Sequence, residues 1–167
     1  MLDLKAAIRD TSRMLQNFYP HLLAFHGLLR WVILAAAVAA IFVAISGWKG
    51  TKPVSGMLLR FGIIFVAAMD LEFLLGVILY FGASPVTKMA FQNMAAAMKD
   101  HEMRFFAVEH TTYMFVALIL AHVGAALSRK GKTDLAKYRG AAICYSLSLL
   151  LMLAGIPWWR PLLRLGS

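Results

Sequence analysis

The fold is decided by an uncharged run of 18 residues, Trp31-Val-Ile-Leu-Ala-Ala-Ala-Val-Ala-Ala-Ile-Phe-Val-Ala-Ile-Ser-Gly-Trp48. A helix needs about 20 apolar residues to cross the roughly 30 Å hydrocarbon core of a bilayer. Because the sequence is largely apolar back to residue 22, this run predicts a membrane-spanning helix over about residues 22–48.

Three further stretches meet the same requirement, at about residues 59–82, 104–128 and 139–159. The sequence therefore predicts an all-α fold, an integral membrane four-helix up-and-down bundle over residues 20–167. Ahead of the bundle, residues 1–19 alternate apolar and charged side chains at roughly helical spacing. This pattern predicts an N-terminal amphipathic helix that lies in the membrane interface.

The composition excludes several classes of protein. Of the 167 residues, 61% are hydrophobic and 15% are charged, whereas soluble domains average about 45–50% apolar and about 25% charged residues. A net charge of +9 could indicate nucleic acid, but the Lys and Arg residues lie between apolar runs rather than along one basic stripe. We therefore expect a lipid bilayer and no nucleic acid as partner. The single cysteine, Cys144, excludes an intrachain disulfide and covalently attached c-type haem.

The loop charges give a prediction of orientation in a bacterial cytoplasmic (inner) membrane. Eight Lys and Arg residues lie in the first and third loops, and eight lie on the other side. The positive residues are packed more densely in the two short loops, which favours a cytoplasmic position for those loops. Both termini are then expected to be periplasmic.

Several ionisable side chains fall within the predicted spans. They are Arg30, Asp70, Glu72, Glu109, His110 and His122, with His26 just ahead of Arg30. A charged group at the centre of a span costs about 2.5–3.5 kcal/mol on insertion scales, so each needs a partner or a function.

The depth of each group can be counted from the cytoplasmic end of its span. At about 1.5 Å per residue, Arg30 and Glu109 lie at about 27 and 28 Å, so they can pair if both face the interior of the bundle. His26 lies at about 33 Å and His110 at about 27 Å, a difference that ordinary helix tilt removes. Glu72 lies at about 16 Å by the same count.

Two histidines at similar depth indicate a cofactor. The first and third spans of an up-and-down bundle lie on its diagonal, so His26 and His110 can each give one axial nitrogen to the iron of a b-type haem. Arg30 is then placed to neutralise a haem propionate.

Other interpretations remain open for the same residues. Arg30 and Trp31 also form an ordinary interfacial anchor, in which case His26 is merely interfacial. His122 is expected to hydrogen-bond Asp70 or Tyr145 rather than to bind a metal. Tyr80, Trp158 and Trp159 are most simply residues of the aromatic belt.

Four segments resemble a known family. They are His26-Gly-Leu-Leu-Arg30-Trp31, Leu74-Leu-Gly-Val-Ile-Leu-Tyr80, Arg104-Phe-Phe-Ala-Val-Glu-His110 and Ile156-Pro-Trp-Trp-Arg-Pro161. They are similar to the H-x-G-L-R-W, L-L-G-L-x-L-Y, R-F-x-x-V-E-H and I-P-W segments of small bacterial four-helix membrane proteins labelled cytochrome-b-like. Here Gly27 directly follows His26, which shifts the small residue of the first segment. The resemblance covers about residues 25–161 and implies the four-helix fold. It singles out His26, Arg30, Trp31, Glu109 and His110.

The sequence thus predicts a small membrane subunit that carries electrons through a b-type haem. His26 and His110 are the expected iron ligands, and Arg30 and Glu109 complete the expected cofactor-binding set. A quinone, a periplasmic cytochrome or a larger respiratory or photosynthetic complex would be its partner. With both axial positions filled, such a protein is an electron carrier rather than an independent catalyst.

Two alternatives stay open. In the first, no cofactor is bound, and the polar residues serve subunit contacts in an accessory subunit of a large membrane complex. In the second, they form a proton or ion path. The depths of His110 and Glu72 differ by about 11 Å, which is too far for direct proton transfer without water.

Overall fold

The computed structural model describes residues 4–50 and 53–161. Its α-helices are α1 (Leu4–Gly50), α2 (Gly56–Ile78), α3 (Pro85–Gln92), α4 (Met94–Ala97), α5 (His101–Arg104), α6 (His110–Lys130) and α7 (Asp134–Gly155). Two π-helical turns, Leu79–Ala83 after α2 and Phe105–Glu109 before α6, complete the second and third spans. No strand occurs within the described ranges, so the predicted all-α class is confirmed.

Four helical segments are long and apolar enough to cross a membrane, Gln16–Gly50, Gly56–Ala83, His101–Lys130 and Asp134–Gly155. The chain is therefore a multi-pass membrane protein. Helices α1 and α6 each pack against α2 and α7. The four helices thus form a ring in which the first and third spans are diagonal neighbours, as expected for an up-and-down bundle.

Two helix boundaries differ from the sequence prediction. Helix α1 is continuous through Pro20, so residues 4–19 belong to the same helix as the first span rather than to a helix separated from it at residue 20. Helix α7 ends at Gly155 rather than at residue 159, because Pro157 has no backbone N–H to continue the helix. Residues 1–3 and 162–167 of the predicted domains lie outside the described ranges.

Small residues let the helices approach closely. The face of α1 that meets the core carries Ala36, Ala37, Ala40 and Ala44, all of them buried. Between α2 and α6, the fully buried ring of Tyr145 fills the space left by two glycines. A Cβ atom on Gly62 would lie 2.5 Å from the Tyr145 hydroxyl, and one on Gly124 would lie 2.6 Å from the Tyr145 ring. Small residues at helix contacts are the usual means of close packing in membranes.

A tyrosine ties the first loop to the fourth span. The Tyr138 hydroxyl donates to the Pro53 carbonyl and accepts from the Ser55 N–H, both at 3.0 Å. The ring of Tyr138 packs directly on Gly47, near the end of α1. Ser55 and Thr133 cap the first turns of α2 and α7 with their side-chain oxygens, which satisfies N–H groups that have no partner within the helix.

Candidate cofactor site

The structure brings His26 and His110 together across the bundle diagonal. The centres of the two imidazole rings lie 6.3 Å apart, and their planes are inclined by 71°. His26 belongs to α1, and His110 is the first residue of α6, directly after the second π turn. The sequence expectation that these two histidines lie at similar depth agrees with this arrangement.

The Nδ1 atom of His110 lies 2.7 Å from the backbone oxygen of Gly155. A carbonyl oxygen can only accept a hydrogen bond, so Nδ1 must carry the proton in this contact. In the neutral imidazole, Nε2 is then left with a free lone pair. Helix α7 ends at this glycine, so its terminal carbonyl fixes both the tautomer and the orientation of the ring.

The acceptor that faces Nδ1 of His26 is the carboxylate of Glu72. Its Oε2 atom lies 3.2 Å from His26 Nδ1, and the two side chains are 13% and 20% exposed. The distance is that of an ion-pair contact, although the angles fall outside those of an aligned hydrogen bond. A carboxylate accepts protons and does not donate them, so it favours the proton on Nδ1 and the lone pair on Nε2.

The depth count allowed Glu109 to pair with Arg30. Glu109 pairs instead with Arg104, whose Nε donates to Oε1 at 2.7 Å. Residues five apart lie on different faces of an α-helix, but the π turn over Phe105–Glu109 brings them together through its i to i+5 geometry. Arg30 interacts electrostatically with Glu72.

The depth count was wrong for Glu72. It placed His26 and Glu72 about 17 Å apart along the membrane normal, whereas the two side chains are in contact. The count treated the chosen ends of the spans as level and the helices as parallel to the normal. The contact shows that at least one of these assumptions fails for α1 and α2.

A cavity of about 290 Å³ surrounds the two histidines. Along α1 it extends from Tyr19 to Ile33, which is about 21 Å at 1.5 Å per residue. Its wall is mostly apolar, and Arg30 and Glu72 also line it. Such a long apolar cavity with a few convergent polar groups is typical of a site for a cofactor or another small molecule.

Tyr80 links the two π turns at one end of the cavity. Its hydroxyl donates to the Ala107 carbonyl at 2.6 Å, and its own carbonyl accepts from the Thr87 hydroxyl at 2.6 Å. The sequence analysis assigned Tyr80 to the aromatic belt and missed this role. No signal in the sequence marks the two π turns that create it.

Arg160 is a second cation of the cavity wall that the sequence analysis did not single out. Its guanidinium lies 4.3 Å from the centre of the Phe106 ring and forms an ion pair with Glu102. Ile156, Pro157 and Pro161 line the same cavity, so the segment that follows α7 forms part of its wall. The I-P-W-W-R-P segment at residues 156–161 was the available signal for it.

Asp70 and His122 form a separate pair away from this site. His122 Nε2 lies 2.8 Å from Asp70 Oδ1, so Asp70 is the partner that the sequence analysis offered for His122 as an alternative to Tyr145. The two side chains are 51% and 47% exposed. They therefore lie on the outer surface of α2 and α6, where the bilayer is expected.

Within residues 4–50 and 53–161, no group of three or more His, Cys, Asp or Glu side chains is arranged to hold a metal ion by itself. Comparisons of the chain with protein-family models, curated proteins and solved structures find no match.

Proposed function

We propose that the protein binds one b-type haem between α1 and α6 and carries electrons in a membrane. The observation that supports this most strongly is the arrangement of the two Nδ1 atoms. Each faces an acceptor, Glu72 Oε2 or the Gly155 carbonyl, which favours a lone pair on Nε2 of each ring, and both residues line the same cavity. Metal-bound histidines are commonly held in this way by a carboxylate or a carbonyl on the other ring nitrogen.

The spacing of the rings fits this proposal. Two histidines that hold one cofactor between them must have their rings close together in the same cavity. The ring centres of His26 and His110 are separated by 6.3 Å. This arrangement requires only two protein ligands, which agrees with the donor set present in the described residues.

Other residues of the wall fit a flat, anionic, largely apolar ligand. Arg30 and Arg160 provide positive charge for carboxylates, as Arg30 was expected to do from the sequence. Ile33, Met69 and Met152 are buried and exclude water from the inner end of the cavity. The bound haem would supply reversible one-electron reduction of iron. With two histidine ligands and no open position, the chain would carry electrons rather than catalyse a reaction.

The location and partners form part of the same proposal. The resemblance to cytochrome-b-like membrane proteins supports a bacterial cytoplasmic membrane, and the dense positive charge of the two short loops supports periplasmic termini. The site then lies toward the periplasmic side, since His110 opens α6 and the short loop after Lys130 is cytoplasmic. A quinone, a periplasmic cytochrome or a larger respiratory or photosynthetic complex could exchange electrons there.

A second candidate function is that of an accessory subunit without a cofactor. The observation that favours it is the Asp70–His122 pair, which is half-exposed on a surface expected to face lipid. A polar pair in that position is explained by contact with another protein chain. The two candidates differ in one simple property, because only the first predicts a coloured protein.

Haem content tests the proposal directly. We expect about one haem per chain in a pyridine haemochrome assay of the purified protein, with loss of haem in His26→Ala and in His110→Ala. His122→Ala is the matched control, because His122 lies in the same span as His110 but outside the cavity, and it should retain haem. A well-folded preparation without haem, even after expression with added haem, would contradict the proposal and favour the accessory subunit.

A further inference from the structure

The Asp70–His122 pair lies at an unusual place for polar groups. Asp70 is near the middle of the second span, and His122 is well inside the third. The two side chains bond each other at 2.8 Å, yet about half of each remains exposed. In a bilayer that exposed half would face hydrocarbon, which is costly for an ionisable group.

The residues around the pair form a continuous outer face. On α2, Ile63, Ala67 and Leu74 lie at helical spacing with Asp70, and all three are exposed. On α6, Phe115, Ile119 and Ala126 repeat the same spacing around His122. We call these six residues, together with Asp70 and His122, the Asp70–His122 face.

The small residues of this face lie at one end of it. Because α2 and α6 are consecutive spans, they run in opposite directions. Ala67, one turn before Asp70, and Ala126, one turn after His122, are thus on the same side of the polar pair. Small residues such as these allow another helix to pack closely.

We propose that this face binds a second copy of the same chain, related by a two-fold axis parallel to the membrane normal. The argument is charge complementarity. Each copy offers one carboxylate and one imidazole side by side, so two copies turned by 180° place Asp70 of one against His122 of the other. A closed symmetric contact of this kind needs only one self-complementary patch.

Depth favours a second copy over an unrelated helix. An axis along the membrane normal keeps both copies in the same orientation, so the polar groups of each stand at the same level in the bilayer. The second carboxylate oxygen of Asp70 in one copy then faces His122 Nδ1 of the other, and a proton held between these two atoms makes the contact a hydrogen bond away from lipid. This inference does not depend on haem, because the Asp70–His122 face is separate from the cavity.

Cysteine cross-linking in the intact membrane protein tests the face. In a Cys144→Ala background, which removes the single native cysteine, we expect Ala67→Cys in one copy and Ala126→Cys in a co-expressed, differently tagged copy to form a disulfide under mild oxidation, because the two-fold axis places residue 67 of one copy opposite residue 126 of the other. Phe42→Cys in both copies is the matched control, since Phe42 is 71% exposed on α1, outside this face. Absence of the cross-link between residues 67 and 126, or an equal yield from Phe42→Cys, would overturn the proposal.

Dilution in lipid vesicles gives a second, independent measurement. Single-molecule photobleaching of labelled full-length protein should show a dimer that dissociates as the ratio of protein to lipid falls. Asp70→Leu combined with His122→Leu should weaken the dimer at least about tenfold, because its intermolecular hydrogen bonds are lost. Phe42→Leu should leave it unchanged. A wild-type protein that is monomeric at all ratios, including one that joins a different subunit as a monomer, would overturn the proposal.

Discussion

At the scale of single residues, two imidazole rings are held by acceptors of different kinds. Glu72 contacts His26, and the terminal carbonyl of α7 contacts His110. The hydrogen bond to Gly155 places the proton of His110 on Nδ1, and the Glu72 carboxylate favours the same tautomer for His26. Packing alone does not explain these two contacts, because burying each acceptor inside the bilayer carries a desolvation cost.

Replacing Glu72 tests the role of the acceptor. Glu72→Gln keeps the size of the side chain but removes the charge that favours the proton on His26 Nδ1. Loss of such a supporting partner typically lowers metal affinity about 10- to 100-fold, and we expect that range for haem affinity in a titration of the haem-free protein. Glu109→Gln is the control, since Glu109 pairs with Arg104. Equal losses in both variants would contradict the assignment of Glu72.

Removing one hydroxyl tests the link between the π turns. Tyr80→Phe deletes the hydrogen bond to the Ala107 carbonyl, which should lower the free energy of unfolding by about 1 kcal/mol. Reversible unfolding in mixed detergent, followed by circular dichroism, measures this loss. In the control, Tyr113→Phe, no hydrogen bond of the described residues is removed, so its stability should match the wild type. A wild-type stability for Tyr80→Phe would show that the link contributes nothing.

At the scale of the helices, the close contact of α2 and α6 with α7 depends on small residues that lie beside the ring of Tyr145. The four spans followed from hydropathy alone, because about 20 apolar residues are needed wherever a helix crosses a bilayer. The sequence also indicated His26 and His110 as candidate site residues, because an ionisable side chain is costly in lipid. Their partners did not follow from the sequence, because the depth count assumed level, straight α-helices. The chain is not a straight α-helix over Phe105–Glu109, because these residues form a π turn. This turn brings the Glu109 carboxylate into contact with Arg104.

A single methyl group should disturb the contact between α6 and α7. A Cβ atom on Gly124 would lie 2.6 and 2.8 Å from Tyr145 ring atoms and 3.0 Å from Cys144 Cβ. We expect Gly124→Ala to lower the free energy of unfolding by about 1–3 kcal/mol through overpacking. Gly56→Ala is the control, because a Cβ there meets nothing within 4 Å. If Gly124→Ala were as stable as Gly56→Ala, the close packing of Tyr145 would be refuted.

At the scale of the whole molecule, the bundle has a polar interior site at one end and a polar pair on its outer surface. The positive charges could not decide the orientation by number, because they tie at eight on each side. Their density in the loops after α1 and α6 decides it in our proposal. The order of the helices around the ring followed from the short connections between consecutive spans.

Cysteine labelling in whole cells tests this orientation. In the Cys144→Ala background, Met98→Cys should react with a thiol reagent that does not cross the cytoplasmic membrane, because residue 98 lies between the second and third spans. Lys132→Cys, in the loop between α6 and α7, should react only after the membrane is permeabilised. The reverse pattern would place the termini and the histidine site on the cytoplasmic side.

The most direct measurement for the central claim is the electron paramagnetic resonance spectrum of the oxidised, haem-loaded protein, together with those of two variants. For the wild type we predict the low-spin signal of iron with two imidazole ligands. His26→Ala and His110→Ala should each give a high-spin signal or lose haem altogether. A wild-type protein that takes up no haem, or a low-spin signal that survives both substitutions unchanged, would contradict the account.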